Sequence, residues 1–152
     1  MNASPVRLYL SLLAILLSVM FSVAGRAEQS ETFGEYTVHY NAITTNFLEP
    51  TVARTYNIVR SPSRAMVNIT VMRNTDGPVG EAAQAAVEIT AINLARQVRT
   101  VNVRELNDGG GIYYIGDFPF TNEETLEFVV KVKPEGQEKT HTLSFRQQFF
   151  VD

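Results

Sequence analysis

The feature that most constrains the fold of this chain is a period-two alternation of apolar and polar residues from Tyr36 to the C-terminus. In Tyr36–Ala42 the even positions carry Tyr, Val, Tyr and Ala, and the odd positions carry Thr, His and Asn. Successive side chains of a strand point to opposite faces, so this pattern predicts strands with one buried face. Similar runs predict strands in Ala65–Met72, Glu81–Asn93, Thr100–Leu106, Gly111–Phe120, Thr125–Pro134 and His141–Val151.

Turn-forming clusters separate these runs. They are Asn74–Pro78, Asn107–Gly111 and Pro134–Gln137, in which glycine supplies positive φ and Asn or Asp bonds to the nearby backbone. Glu49–Tyr56 is the one helical segment we expect, with Pro50 in its first turn, where a missing N–H costs nothing. The Ala-rich start of Glu81–Asn93 also permits a helix, but its alternation favours a strand.

About seven strands joined by short turns, without long helices between them, predict an all-β fold. We expect an immunoglobulin-like antiparallel β-sandwich of about seven strands with one short surface helix. The chain has no Cys and no Trp, so only the general architecture of immunoglobulin domains is implied. A small closed barrel is the alternative.

Residues 1–27 differ from the rest of the chain. Arg7 precedes Leu8–Val23, an apolar run of 16 residues, and small residues then lead to Ala27. A positive start, an apolar centre and a small-residue end predict a cleaved secretory signal peptide. Cleavage after Ala27 or after Ala24 fits the pattern, and an uncleaved anchor is the alternative because the run is only slightly shorter than a bilayer span.

The domain organisation follows from this assignment: a signal peptide at 1–27 and a single β-sandwich domain at 28–152. Cleavage removes two of the 13 basic residues and no acidic one, so 11 basic residues face 16 acidic ones and the net charge is -5. An acidic exported chain without cysteine predicts a periplasmic protein that binds no nucleic acid and has no stable membrane span. The absence of Cys excludes disulfides, thiolate metal sites and a lipoprotein anchor.

Histidine and methionine raise the question of a metal. His39, Met66, Met72 and His141 could together bind copper, because imidazole and thioether ligands favour Cu(I). Met66 and Met72 are both at even positions of one strand, so they point to the same face. The sequence contains no Met-x-Met or His-x-His motif that would place two ligands side by side. We therefore expect no cofactor and keep copper binding or chaperoning as the alternative function.

The sequence offers no convincing combination of catalytic residues. His141 and Ser144 differ in parity, so a regular strand points them to opposite faces, and no Gly-x-Ser-x-Gly elbow is present. The carboxylates around Glu123 are interpreted as a solvated loop. Gly109–Gly111 lacks the Lys and Ser/Thr of a phosphate loop and is interpreted as a hairpin turn. The sequence thus predicts a protein that is not an enzyme.

Surplus aromatic and basic side chains indicate binding. Neighbouring aromatics such as Tyr113 and Tyr114 point to opposite faces of a strand, so simple alternation cannot bury them all. Arg54, Arg60 and Arg64 form the one local basic concentration, which could contact an anionic partner. Candidate binding residues are His39, Tyr56, Arg60, Arg64, Tyr113 and Tyr114.

Several short segments carry a family resemblance. Gly34–Asn41 leads to Phe47–Tyr56, with Ile112–Tyr114 and Asn122–Glu124 later in the chain. This order resembles DUF4426, a domain-of-unknown-function family of exported Gram-negative bacterial proteins, and the resemblance extends from about Gly34 to the C-terminus. It implies a periplasmic protein without an assigned activity and transfers no site residues.

Taken together, the sequence predicts a periplasmic, non-enzymatic binding or interaction protein. Its partner is expected to be an envelope protein, a peptide or a small ligand. A protein or peptide partner could add a strand at an exposed sheet edge. The sequence is also compatible with a homo-oligomer.

Overall fold

The computed structural model describes residues 29–151, and the predicted signal peptide lies outside them. Ten strands are present in this part of the chain. They are β1 (Gln29–Phe33), β2 (Tyr36–Thr44), β3 (Arg64–Arg73), β4 (Glu81–Ala82), β5 (Ala85–Asn93), β6 (Val98–Val101), β7 (Arg104–Asp108), β8 (Gly111–Pro119), β9 (Thr125–Pro134) and β10 (His141–Gln148). A 3-10 turn (Thr45–Phe47) and one short helix, α1 (Pro50–Thr55), connect β2 to β3.

The strands form two antiparallel sheets. Sheet A has the order β1-β2-β3-β8-β7, with β4 added beside the end of β3, and sheet B has the order β10-β9-β5-β6. The apolar faces of the two sheets enclose the main core, so the predicted all-β sandwich is confirmed. The predicted surface helix is also present, two turns long at most.

Alternation places the core residues as expected. In β9 the even positions from Leu126 to Val132 are at most 1% exposed, while Lys131 points to solvent. Burying one such side chain contributes about 1.5–3 kcal/mol to stability. Aromatic rings fill the centre, where Phe128 lies 4.9 Å from Phe145 and 5.6 Å from Phe118 between ring centroids.

The strand count exceeds the prediction for identifiable reasons. The run Thr100–Leu106 is not one strand: β6 ends at Val101 in sheet B, and β7 begins at Arg104 in sheet A. A Cβ at Gly116 would stand 2.3 Å from the Val101 side chain, so glycine permits this crossing between the sheets. β1 is polar and mostly exposed, which hid it from an alternation pattern.

The glycine cluster is a hairpin turn, as predicted. Asp108 pairs with Gly111 at the end of β7 and β8, and Gly109 and Gly110 have φ values of 55° and 82°. Two consecutive positive φ values are typical of the tight turn that matches strand twist.

Candidate functional site

The outer face of sheet A, which points away from the main core, divides into two halves. One is the covered half, in which Met66 and Ile115 lie beneath the segment 45–63 and are each 7% exposed. The other is the open half, over which no described residue folds in a comparable way. Its residues are Thr37, His39, Thr70, Met72 and Tyr113.

The covered half owes its cover to a small second core. Ala53 of α1 and Ile58 after it pack onto Met66 and Ile115, with partly buried apolar residues around them. Thr45 fixes the segment: its fully buried hydroxyl donates to the Val59 carbonyl at 2.9 Å and accepts from the Ser61 N–H at 3.0 Å. A buried hydroxyl bonded on both sides joins the two ends of the segment.

The open half contains a cleft where the sheet forks. β8 pairs with β3 only as far as Ile69, and β4 takes its place beside Met72 and Arg73. A cleft of about 660 Å³ lies at this fork, within the size range of small-molecule sites. It is lined by Thr70, Met72, Gly80, Glu81, Ala82, Gly109, Gly110, Gly111 and Tyr113.

The Tyr113 ring lies over the backbone of Gly111 in the cleft. An added Cβ at Gly111 would stand 2.6–2.8 Å from the Tyr113 ring and hydroxyl atoms, so the ring occupies space that a side chain at this position would take. The Tyr113 side chain keeps partial exposure and presents an aromatic surface to the cleft. An exposed aromatic beside a thioether, that of Met72, suits binding of a partly apolar ligand.

Tyr56 connects the two halves. Its hydroxyl donates to Asp108 Oδ2 at 2.5 Å, which ties the C-terminal end of α1 to the turn beside the cleft. This hydrogen bond, together with the negative charge of Asp108, raises the pKa of Tyr56. The bond favours the neutral phenol, so it holds the turn at neutral pH.

The two candidate arginines have partners within the fold. Arg64 forms a half-buried ion pair with Asp117 on the covered half. Arg60 donates to the Asn46 carbonyl at 2.8 Å and holds the 3-10 turn. Neither arginine lines the cleft at the fork.

Tyr114 points the other way from Tyr113. It is 3% exposed in the main core, and its hydroxyl accepts the Ala85 N–H at 2.7 Å, which joins sheet A to the start of β5. Burial is the main cause that raises the pKa of Tyr114. Of the six candidate binding residues, the structure therefore places His39 and Tyr113 on the open half, with Tyr56 at its border, and only Tyr113 lines the cleft.

The four copper candidates do not meet. Met66 is buried in the second core, and the His141 ring lies 4.7 Å from the Phe33 ring on the inner side of the sandwich. His39 and Met72 do share the open half. Within residues 29–151, no three His, Asp or Glu side chains group as a metal site.

A second groove lies at the opposite end of the molecule. It has a volume of about 560 Å³ and includes Phe47 and Phe150, which are 71% and 51% exposed. β1 pairs with β2 only up to Tyr40, so the edge of β2 beyond that point has no described partner beside this groove. Strand addition at such an edge stays a prediction.

The predicted strand Glu81–Asn93 is wrong as a single strand: β4 (Glu81–Ala82) pairs with β3 in sheet A, whereas β5 (Ala85–Asn93) belongs to sheet B. Alternation does not reveal a change of sheet, so the sequence did not predict that Gly80, Glu81 and Ala82 line the cleft. The available signal was Gly80, whose φ is 68° and whose added Cβ would stand 2.7 Å from the Arg73 carbonyl oxygen. The Arg73–Glu81 ion pair at 2.5 Å then closes the rim and raises the pKa of Arg73.

Comparisons with known proteins support the architecture. The family model DUF4426, a domain of unknown function, matches residues 30–152. The crystal structure of a DUF4426 family protein from Pseudomonas aeruginosa PAO1 is 34% identical, with a TM-score of 0.72, and the alignment covers 84% of this chain and 98% of that one. No curated protein matches the chain.

More distant solved structures share the fold. A copper-bound variant of FetP from uropathogenic Escherichia coli strain F11 is 10% identical with a TM-score of 0.59, covering 83% of this chain and 97% of that one. A copper-bound variant of a Campylobacter jejuni protein is 7% identical with a TM-score of 0.55, covering 80% and 94%. At these identities the likeness concerns the fold alone.

Proposed function

Because the chain belongs to the DUF4426 family, to which no function is assigned, we propose its function from the geometry of the open half. The protein is a non-enzymatic binding protein of the cell envelope, and the cleft at the fork of sheet A receives its ligand. The ligand is a small molecule, or a short segment of an envelope protein, with an apolar part that packs on Tyr113 and Met72.

The single observation that carries this proposal is the contrast within one sheet face. The segment 45–63 buries the apolar side chains of the covered half, whereas the open half retains a cleft lined in part by an aromatic ring and a thioether. Exposed apolar groups in a concave site, with polar groups around them, are typical of ligand-binding sites.

The non-enzymatic assignment is supported by the positions of the reactive side chains. His141 lies opposite Val132 of the inner face, whereas Ser144 is exposed on the other face of β10. His39 is on the far side of sheet A from His141. Neither histidine therefore stands beside the Ser144 hydroxyl, as a Ser–His catalytic pair would require.

Export is part of the proposal and rests on the sequence. Residues 1–27 have the features of a cleaved signal peptide, and residues 28–152 form the exported domain. None of the helices described in residues 29–151 has the length and apolar character needed to cross a membrane. Structurally similar FetP was produced in the periplasm, which agrees with this location.

The test is a ligand screen on the isotope-labelled exported protein, with amide chemical shifts as the readout. We expect hits to shift the amides of Tyr113, Met72 and Gly110. Tyr113→Ala should weaken these hits, and Phe150→Ala, which removes an exposed aromatic of the other groove, should not. Hits that cluster at Phe150 and spare Tyr113 would contradict the assignment of the cleft.

Metal handling is the second candidate. Its specific support is that His39 and Met72 share the open half, on a fold that is also found in copper-bound proteins. Elemental analysis of the exported protein purified from copper-supplemented cells tests it. Copper well below one atom per chain, with no copper taken up in vitro, would remove this candidate.

A further inference from the structure

His39 and Met72 lie on adjacent strands at diagonal positions of one sheet face. His39 pairs with Thr70, and Met72 lies two residues further along β3, so both side chains point outward on the open half. Diagonal neighbours of an antiparallel pair are about 7–8 Å apart, within reach of aromatic and long side chains. An imidazole nitrogen and a thioether sulfur can therefore approach one ion from the two strands.

The chemistry of this pair selects a particular class of metal. Thioether sulfur is a soft ligand that favours Cu(I), and imidazole accepts the same ion. The other open-half residues contribute two threonine hydroxyls and a phenol, and no carboxylate. The nearest acid on the cleft rim, Glu81, is already paired with Arg73. Hard cations such as Mg²⁺ and Ca²⁺, which need several oxygen ligands, have little to bind here.

Hydrogen bonds hold the backbone beside Met72, and a polar side chain lies diagonal to His39. Thr37, which lies opposite Met72, donates its hydroxyl hydrogen to Asn74 Oδ1 at 2.9 Å and is 3.1 Å from the Thr32 hydroxyl. This chain of bonds fixes the backbone at the β2–β3 end where Met72 lies. On the other diagonal of His39, Asn68 Oδ1 is buried and has no hydrogen-bond partner.

The position of Asn68 suits the outer shell of a metal site. A histidine that binds a metal through one ring nitrogen usually donates its other N–H to an acceptor that orients the ring. Asn68 Oδ1 is such an acceptor, and a donated N–H would relieve a buried oxygen that otherwise lacks a hydrogen bond. Its diagonal register position makes Asn68 the residue to which such an orienting role can be assigned.

We propose that His39 and Met72 bind one Cu(I) ion on the open half, with Asn68 orienting the imidazole. This inference rests on the proposed binding role of the open half and names an ion that the site takes. The other two candidates do not contribute to this site. Met66 is buried in the second core, and the His141 ring lies against the Phe33 ring on the inner side of the sandwich.

The experiment is an anaerobic titration of the full exported protein with Cu(I) in competition with a coloured Cu(I) chelator. Wild type should take up one Cu(I) per chain, and a tenfold excess of Zn(II) should not displace it. His39→Gln and Met72→Leu should each weaken Cu(I) binding by more than about tenfold, and Asn68→Ala by about tenfold.

Matched controls separate ligation from general damage. Met66→Leu and His141→Gln change the same residue types and should leave Cu(I) affinity within about twofold of wild type. Addition of Ag(I), a redox-inert soft ion, should shift the Met72 methyl and His39 ring resonances and not those of Met66. Unchanged affinity in both His39→Gln and Met72→Leu, or a loss confined to His141→Gln, would overturn the proposal.

Failure of this site is distinguishable from failure of the proposed function. A wild-type protein that binds no Cu(I) yet binds screened ligands in a Tyr113-dependent manner refutes the metal site and leaves the cleft standing. Cu(I) binding that persists in Tyr113→Ala supports the metal site, even if no organic ligand is found.

Discussion

Met66 and Met72 stand six residues apart on the same face of the same strand, yet the structure gives them opposite environments. Met66 lies in the second core under the segment 45–63, and Met72 lines an open cleft. Local sequence does not distinguish them, because parity places both on the outer face of β3, with Asn68 and Thr70 between them. The difference shows that strand parity assigns a side chain to a face, and that a distant segment decides whether this face is buried.

The two halves therefore differ in what their residues contribute. On the covered half, apolar side chains and the Thr45 hydroxyl stabilise the segment above them. On the open half, Thr37, His39, Thr70 and Met72 are half-buried and have no covering segment among the described residues. We expect substitutions to affect folding on the covered half and binding on the open half.

The largest effect should come from the main core, on which both halves depend. Phe128→Asp places a carboxylate at a position that is 0% exposed, and burying an unpaired charge costs several kcal/mol, so the domain should not fold. Lys131→Asp, three residues along on the solvent side, should fold. Thermal unfolding followed by circular dichroism compares them, and equal melting temperatures would refute the register of β9.

The next effect tests the two methionines directly. Met66→Ala should lower the free energy of unfolding by about 2–4 kcal/mol, because it leaves a cavity in the second core. Met72→Ala should lower it by less than about 1 kcal/mol, since that side chain is partly exposed. Urea denaturation measures both, and a Met72→Ala loss as large as that of Met66→Ala would mean that the open half is covered in solution.

A smaller effect concerns the fixing of the covering segment. Thr45→Val keeps the shape but leaves the Ser61 N–H and the Val59 carbonyl without their hydroxyl partner, at a cost of about 1–3 kcal/mol. The loss should be local. Hydrogen exchange should accelerate in residues 45–63 and remain unchanged at Thr70 and Met72; equal acceleration at both places would contradict independent halves.

The smallest effect concerns the connection between the halves. Tyr56→Phe removes the bond to Asp108, so the melting temperature should fall slightly at neutral pH. The folded-state pKa of Tyr56 is raised above its ordinary value of 10.0, so this contribution is complete below pH 10 and is lost as the pH rises through the folded pKa. The difference in melting temperature between wild type and Tyr56→Phe should therefore vanish in alkali. Ionisation of Tyr114 affects both proteins equally, so it cannot produce a difference between them.

Much of the fold could be predicted from the sequence because the pattern that indicates a strand lies within the strand itself. Alternation in Tyr36–Ala42 and in Thr125–Pro134 predicts the strands β2 and β9 with their buried faces, and the structure confirms both. Gly109 and Gly110 predict a hairpin, and the structure confirms the turn. These signals depend on neighbours within a few residues, where backbone preference and periodicity operate.

The candidate site was less accessible to such reasoning. His39 and His141 look equivalent as strand histidines, but β10 places His141 on the inner side of sheet B and β2 places His39 outside sheet A. The cleft requires β8 to leave β3 and β4 to take its place, and β8 is far from both of these strands in sequence. Pairing between distant strands leaves no local pattern, so the cleft and the His39–Met72 pair could not be predicted.

The sequence by itself determined that this chain forms strands, which side of most of them is buried and where several turns occur, because alternation and glycine act over a few residues. Only the tertiary structure decided which exposed face the segment 45–63 covers and where a cleft is left. Burial of that segment is a free-energy gain shared among residues distant in the chain, Ala53 and Ile58 on one side and Met66 and Ile115 on the other, and it exists only once the two sheets have assembled.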